Sequence, residues 1–195
     1  MLKIAVVTGS TRPGRNNEAV AAWVYSIAKQ RNDAEFELVD IASYKLPLLD
    51  EPVPALFDQY SHEHTKAWAN KIASFDAYVF VTPEYNHGTS AALKNAIDYL
   101  YHEWNNKAAG FVSYGGHGGI HAVEHLRLIM APCMVATVGA QVALSLFTDF
   151  ENFMAFKPAP QREKELAGML DQLVAWGAAF KTLRLDAAKA GVTRE

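Results

Sequence analysis

Short β-branched runs alternate with longer amphipathic stretches along this chain. Lys3 to Thr8 is apolar at nearly every position and stops at Gly9, the pattern of a strand buried on both faces. Similar runs follow at Phe36 to Asp40, Ala77 to Thr82, Ala108 to Tyr114 and Met134 to Val138, each ending in polar or turn-forming residues. Between them the apolar period lengthens to that of a helix. Glu18 to Gln30 gathers Val20, Trp23, Val24 and Ile27 on one face, and Thr65 to Ser74 gathers Trp68, Ala69 and Ile72. Ala91 to Tyr101, Ala122 to Met130 and a long finish from Gln161 to Leu183 behave alike. Parallel strands need crossover connections, so five strands alternating with five helices predict an α/β fold, a three-layer α/β/α sandwich on a parallel sheet. In such a sheet the ligand sits beyond the carboxyl ends of the strands, where neighbouring connections leave on opposite faces.

The remaining segments read as surface insertions, Leu46 to Pro54 and Ser145 to Pro160. Phe147, Phe150, Phe153 and Phe156 recur every three residues in the second, a stripe expected to pack on the chain's own core. With 195 residues and no linker or repeat, residues 1-195 are expected to form a single domain. A net charge of −3 gives no basic face for nucleic acid or a membrane surface, and no apolar run is long enough to span a bilayer. Cys133 is the sole cysteine and cannot form an internal disulfide or CxxC pair. A cytoplasmic location is expected, and electron transfer would need a cofactor.

Three loops at strand ends carry candidate chemistry. Gly9-Ser10-Thr11-Arg12-Pro13-Gly14-Arg15-Asn16-Asn17 leads from the first strand into the first helix. Glycines, hydroxyls and arginines beside the N–H groups of a helix start suit a phosphate, although a capped turn is the plain alternative. Arg15 and Asn16 replace the Lys and Ser/Thr of a Walker loop, and Thr11 replaces the second glycine of GxGxxG, so a monophosphate fits better than ATP or a dinucleotide. Thr82-Pro83-Glu84-Tyr85-Asn86-His87-Gly88 offers an aromatic and an amide to a flat heteroaromatic ring. Ser113-Tyr114-Gly115-Gly116-His117-Gly118-Gly119 lets backbone come close to a ligand. Together they describe a site for a mononucleotide with a planar ring.

In these residues the chain resembles the NADPH-dependent FMN reductases of flavodoxin-like fold. The likeness rests on Gly-Ser-Thr-Arg-Pro-Gly-Arg at 9 to 15, Pro-Glu-Tyr-Asn-His at 83 to 87 with Ala-Leu-Lys-Asn-Ala-Ile-Asp at 92 to 98, and Ser-Tyr-Gly-Gly at 113 to 116 with Leu-Arg at 126 and 127. The resemblance implies strand order 2-1-3-4-5 and a bound FMN. Ser10, Arg12, Arg15 and Asn17 would bind its phosphate, Pro83, Glu84, Tyr85 and Asn86 would lie along the ring, and Ser113, Tyr114, Gly115 and Gly116 would close the other side. It also implies NADPH or NADH as co-substrate, a small-molecule electron acceptor such as free flavin or a quinone, and a homodimer or homotetramer. No side chain is assigned as catalytic acid or base, because the flavin does the hard chemistry. Two departures stand out: Ser90 where many relatives carry proline, expected to loosen the ring loop, and His121 where many carry arginine.

Other functions fit parts of the pattern. A flavodoxin-type electron carrier or a flavin-binding regulator would share the FMN loops without turning over NADPH. His121-Ala122-Val123-Glu124-His125 matches HxxEH, the helical signature of a class of zinc peptidases, which makes a zinc hydrolase using His121, Glu124 and His125 a further alternative; the glycine loop and sheet pattern already account for that segment without a metal. Tyr99, Tyr101 and Trp104 read as core or subunit contact, and Cys133 as a buried, inert thiol.

Overall fold

The structure is a computed structural model that describes residues 1–191. Five strands, β1 (Leu2–Thr8), β2 (Ala34–Asp40), β3 (Ala77–Pro83), β4 (Lys107–Gly115) and β5 (Val135–Ser145), form one parallel sheet in the order β2-β1-β3-β4-β5. Helices α1 (Asn17–Ala28), α2 (Glu63–Ala73), α3 (Ala91–Asp98), α4 (Ile120–Met130) and α5 (Gln161–Lys189) cover both faces. The flavodoxin-like α/β/α sandwich and its strand order match the expectation.

Alternation along the strands sorts the core into two unlike layers. On β3, Ala77, Val79 and Val81 point into an aliphatic layer with Val20 and Val24 of α1 and Leu166, Met169, Leu170 and Leu173 of α5. Tyr78 and Phe80, one residue out of phase, point into an aromatic layer with Trp68, Trp104, Phe111, Leu93, Ile97 and Leu126. Both indoles find acceptors there, Trp68 Nε1 at the Ala96 carbonyl (2.8 Å) and Trp104 Nε1 at the Ile97 carbonyl (3.1 Å), so burying them carries no unpaired donor. Tyr99 and Trp104 are fully buried, which makes this cluster core.

The connection after β1 therefore leaves toward the aliphatic layer through α1, while the one after β3 leaves toward the aromatic layer through α3. The switch point lies between these neighbouring strands. It sets the loops after β1, β3 and β4 side by side.

Several boundaries differ from the pattern-based expectation. β5 runs seven residues beyond Val138 because a register shift opposite Ala109 and Phe111 absorbs the break at Gly139, and pairing resumes at Gln141. The segment after it is no plain loop: β6 (Phe150–Glu151) and β7 (Ala155–Phe156) make a short antiparallel hairpin. This hairpin splits the phenylalanine stripe. Phe150 packs on Tyr114 and Phe156 on Trp23, whereas Phe147 and Phe153 stay exposed and meet edge to face at 5.4 Å. The expectation that the whole stripe packs on the core is corrected to half of it, since only the paired residues of the hairpin share a face.

Candidate flavin-binding site

The loop after β1 is tied to the sheet beneath it. Gly9 N–H donates to the Val81 carbonyl (2.7 Å) and to Asn17 Oδ1 (3.1 Å), and Asn17 Nδ2 returns to the same Val81 carbonyl (2.9 Å). A Cβ on Gly9 would lie 2.6 Å from that carbonyl oxygen, so only glycine allows this approach. Asn17 is fully buried with both amide ends engaged; the structure places it under the loop and not on the ligand side. Arg15 is likewise committed. Its guanidinium bonds the Ser10 carbonyl, Asp40 Oδ2 (2.6 Å) and Glu18 Oε1 (2.8 Å). Burial opposes the Arg15 charge, and the bonds to Asp40 and Glu18 more than offset it. For Asp40 burial likewise works to raise the pKa, but Thr8, Arg15 and the Ala42 N–H hold the carboxyl below the usual range.

Arg12 stands in contrast. It is exposed, and its guanidinium makes no hydrogen bond or ion pair among the described residues. The N–H groups of Thr11, Gly14, Arg15 and Asn16 also have no acceptor there; they belong to the loop that leads into Asn16, the N-cap of α1, whose dipole favours an anion. Ser10 Oγ lies 3.4 Å from Tyr85 Oη, which links this loop to the next.

The loop after β3 turns sharply. Tyr85 and Gly88 exchange both backbone hydrogen bonds at 3.0 Å, and Asn86 and His87 between them have φ of 50° and 60°, the two left-handed positions of a type I′ turn. Tyr85, Asn86 and His87 are exposed while Pro83 is buried. The N–H groups of Asn86 and His87 have no acceptor among the described residues. Ser90 caps α3, accepting from Leu93 N–H (3.1 Å) and donating to the Gly9 carbonyl. The expectation that serine here loosens the ring loop is thereby reversed: the hydroxyl joins the end of the β3 loop to the start of the β1 loop, a bond proline could not make.

In the loop after β4, Gly119 has φ +74° and a Cβ there would lie 2.8 Å from Tyr114 N, a position closed to other residues. Ser113 is buried, its hydroxyl spent on the Gly118 carbonyl (2.7 Å), and Tyr114 is nearly buried, with burial pushing its hydroxyl pKa up. Gly116 is exposed, whereas Gly115 is buried at the end of β4 with its carbonyl accepting from Gly118 N–H (3.1 Å) and Leu146 N–H (3.0 Å). The start of α4 has no cap of its own, since Gly119 lacks a side chain. Glu84 reaches across from the neighbouring loop instead, with Oε2 accepting from His121 N–H (3.0 Å) and Ala122 N–H (3.4 Å) and Oε1 bonded to His121 Nδ1 (3.0 Å). Burial pushes the Glu84 carboxyl up; the His121 ring and the two N–H groups outweigh it and keep the pKa below the usual range. The His87 and His121 rings stack at 4.1 Å. Sequence patterning identified none of these cross-loop partners of His121, which lie 34 or more positions away.

Of the twelve sequence-derived site residues, Arg12, Tyr85, Asn86 and Gly116 are exposed on the three adjoining loops, Ser10, Pro83 and Gly115 are buried within them, the Glu84 carboxylate caps α4, and Arg15, Asn17, Ser113 and Tyr114 brace them. The HxxEH triplet does not converge: among the described residues, the grouping of His, Cys, Asp and Glu tight enough to share one ion joins His121 with Glu84 and His87, not with Glu124 and His125. Successive turns of α4 carry that triplet while the Glu84 bond draws the His121 ring toward the β3 loop. Cys133 is half-buried, and burial raises its thiol pKa, which suppresses the reactive thiolate.

Residues 2–149 match the family model described as NADPH-dependent FMN reductase. An NAD(P)H-dependent FMN reductase of Schizosaccharomyces pombe is 46% identical over 143 residues, covering 69% of this chain and 72% of its own. An NAD(P)H:quinone oxidoreductase of Solanum tuberosum is 34% identical over 134 residues, covering 66% of this chain and 67% of its own. In fold the chain is similar to FerB, a flavoenzyme NAD(P)H:(acceptor) oxidoreductase from Paracoccus denitrificans, with a TM-score of 0.73, 22% identity, and coverage of 92% of this chain and 99% of that one.

Proposed function

Because the chain belongs to the NADPH-dependent FMN reductase family and is an NAD(P)H-dependent FMN oxidoreductase, we propose that the three loops form its flavin site and that its acceptor is a small quinone-like molecule. The observation that carries the site is the set of uncommitted donors after β1: Arg12 and four N–H groups of the loop that leads into α1, without a partner among the described residues. Donors in this arrangement fit a phosphate dianion.

Bound FMN supplies the redox chemistry, taking a hydride from the nicotinamide and passing electrons onward. The chain's own residues bind and orient. Arg12 and the N–H groups of Thr11, Gly14, Arg15 and Asn16 hold the phosphate, while Arg15 and Asn17 keep the loop in shape beneath it. The N–H groups of Asn86 and His87 are donors suited to an electron-rich ring edge, which they favour in its reduced form. Gly116 presents exposed backbone on the opposite side, with Gly115 bonded beneath it. No side chain in the three loops is required to move a proton.

The potato relative's quinone activity supports a quinone acceptor. Exposed Phe147, Phe153 and Met154 beside the phosphate loop, with Asn16 Nδ2 bonded to the Phe153 carbonyl (3.3 Å), support a homodimer or homotetramer that covers them. Among the described residues no helix is long and apolar enough to cross a membrane; the single unpaired cysteine suits a reducing compartment such as the cytoplasm, and the described residues form one flavin domain. The test is the visible spectrum of the FMN-loaded protein under anaerobic NADPH. Bleaching of the flavin, followed by recovery on adding benzoquinone, is expected; a flavin that dithionite bleaches and NADPH does not would make the protein a carrier and sink the proposal.

A further inference from the structure

We propose that Glu84, His87 and His121 bind one divalent transition-metal ion of the zinc class, which joins the two loops flanking the flavin ring. One ligand atom from each of the three side chains lies within 4.8 Å of the other two. His121 Nδ1 and Glu84 Oε1 are already 3.0 Å apart, close to the roughly 3.3 Å that separates neighbouring ligands on a tetrahedral ion with bonds of about 2.0–2.1 Å. The His87 ring lies parallel to that of His121 within 10°, at 4.1 Å; because an imidazole ligates in its own plane, sharing an ion opens this stack into a V by a rotation of each ring, which the exposed His87 side chain has room to make. Glu84 Oε2 stays on the His121 and Ala122 N–H groups, the kind of outer bond that fixes a ligating carboxylate.

The ligand set also selects the ion. Two imidazoles and one carboxylate suit zinc, nickel or copper and disfavour magnesium or calcium, which take all-oxygen shells. Three protein ligands on a half-exposed rim leave a further position open to solvent. His87 sits at the second left-handed position of its turn, with φ of 60°, where glycine is the usual choice. An imidazole at that position is displayed toward His121 at a backbone cost glycine would avoid. Because Glu84 and His87 come from the β3–α3 loop and His121 from the start of α4, the ion is a clip between two chain segments that sequence places more than thirty residues apart.

The test is calorimetric titration of Zn2+ into chelator-treated, FMN-loaded protein, with His87→Gly and His121→Ala in parallel and flavin content read from the absorbance of each sample. His87→Gly relaxes the turn, so it keeps the fold. One saturable Zn2+ per chain is expected, weakened about tenfold or more in each variant, with Mg2+ giving no comparable binding. Absent saturable binding in the parent, or unchanged affinity in both variants, overturns the proposal. So does binding that survives His87→Gly but is lost in His125→Ala, which puts the ion on the helical HxxEH triplet. A parent that binds Zn2+ but holds no FMN would sink the flavin site and leave the metal site standing.

Discussion

Apart from its links to the β3 loop, Ser10 to Tyr85 and Gly9 to Ser90, the loop after β1 closes on itself and on the strand beside it, whereas the loops after β3 and β4 close on each other. In the first, Gly9, Asn17 and Val81 form one buried hydrogen-bonded knot and Arg15 is held by Asp40 and Glu18, so the exposed donors ride on a finished frame. In the second, the β3 turn supplies the carboxylate that caps α4, and α4 supplies the ring that stacks on the β3 turn. The difference suits their tasks. A phosphate is small and always charged, and a preformed cradle binds it without ordering cost. A ring that changes its electron count needs two platforms placed relative to each other, and cross-loop bonds set that spacing.

The sharpest way to break the ring side is Gly119→Ala. The left-handed backbone costs about 1–2 kcal/mol for a side chain, and a Cβ 2.8 Å from Tyr114 N forces the β4 loop to shift, adding about 1–3 kcal/mol of overpacking strain. A stability loss of about 3 kcal/mol in urea denaturation is expected, with the flavin released as well. On the phosphate side the matching lesion is Asn17→Ala. It removes two buried hydrogen bonds and leaves the space of an amide, which should cost about 2 kcal/mol and lower stability and FMN affinity together. A variant that loses FMN but keeps its unfolding midpoint would show that Asn17 touches the ligand and does not brace the loop.

That distinction marks where sequence ceases to speak. The strands announced themselves through β-branched runs, and the switch point followed from their order. The three loops were legible too, as residue types suited to a phosphate and a ring. Which arginine the fold leaves without a protein partner was not, because the partner that occupies Arg15 is Asp40, 25 positions along the chain, and the carbonyl that holds Asn17 is Val81, 64 positions away. Arg12 and Arg15 look alike in the sequence and differ only in what the fold sets beside them. The same holds for His121, whose sequence neighbours suggested a helical metal motif while its contacts lie with Glu84 and His87. The end of β5 escaped for a local reason: Gly139 breaks the apolar run, and only the register shift against β4 carries the strand past it.

Arg12→Ala separates binding from architecture on the phosphate side. Its guanidinium has no partner among the described residues, so its removal should leave the unfolding midpoint unchanged. Losing one charge-assisted contact to phosphate, worth about 1.5–3 kcal/mol, should weaken FMN about 10- to 150-fold in a fluorescence titration. Equal FMN affinity in parent and variant would remove Arg12 from the site.

The finest test is Asp40, which holds Arg15 in its bracing position. Its carboxylate accepts from Thr8 Oγ1 (2.7 Å), the Ala42 N–H (3.0 Å) and Arg15 Nη2 (2.6 Å). Burial works to raise its pKa and these bonds hold it below the usual range all the same. A carboxyl whose folded pKa is depressed contributes stability that is complete above its unfolded value of about 3.9 and is lost as pH falls through the folded value. Asp40→Asn should therefore be less stable than the parent at neutral pH by about 1 kcal/mol, with the gap closing below about pH 4. FMN affinity should fall with stability at neutral pH, since Arg15 loses a partner that holds it beneath the loop. If affinity rises while stability falls, Arg15 reaches the phosphate once released, and it is not a brace.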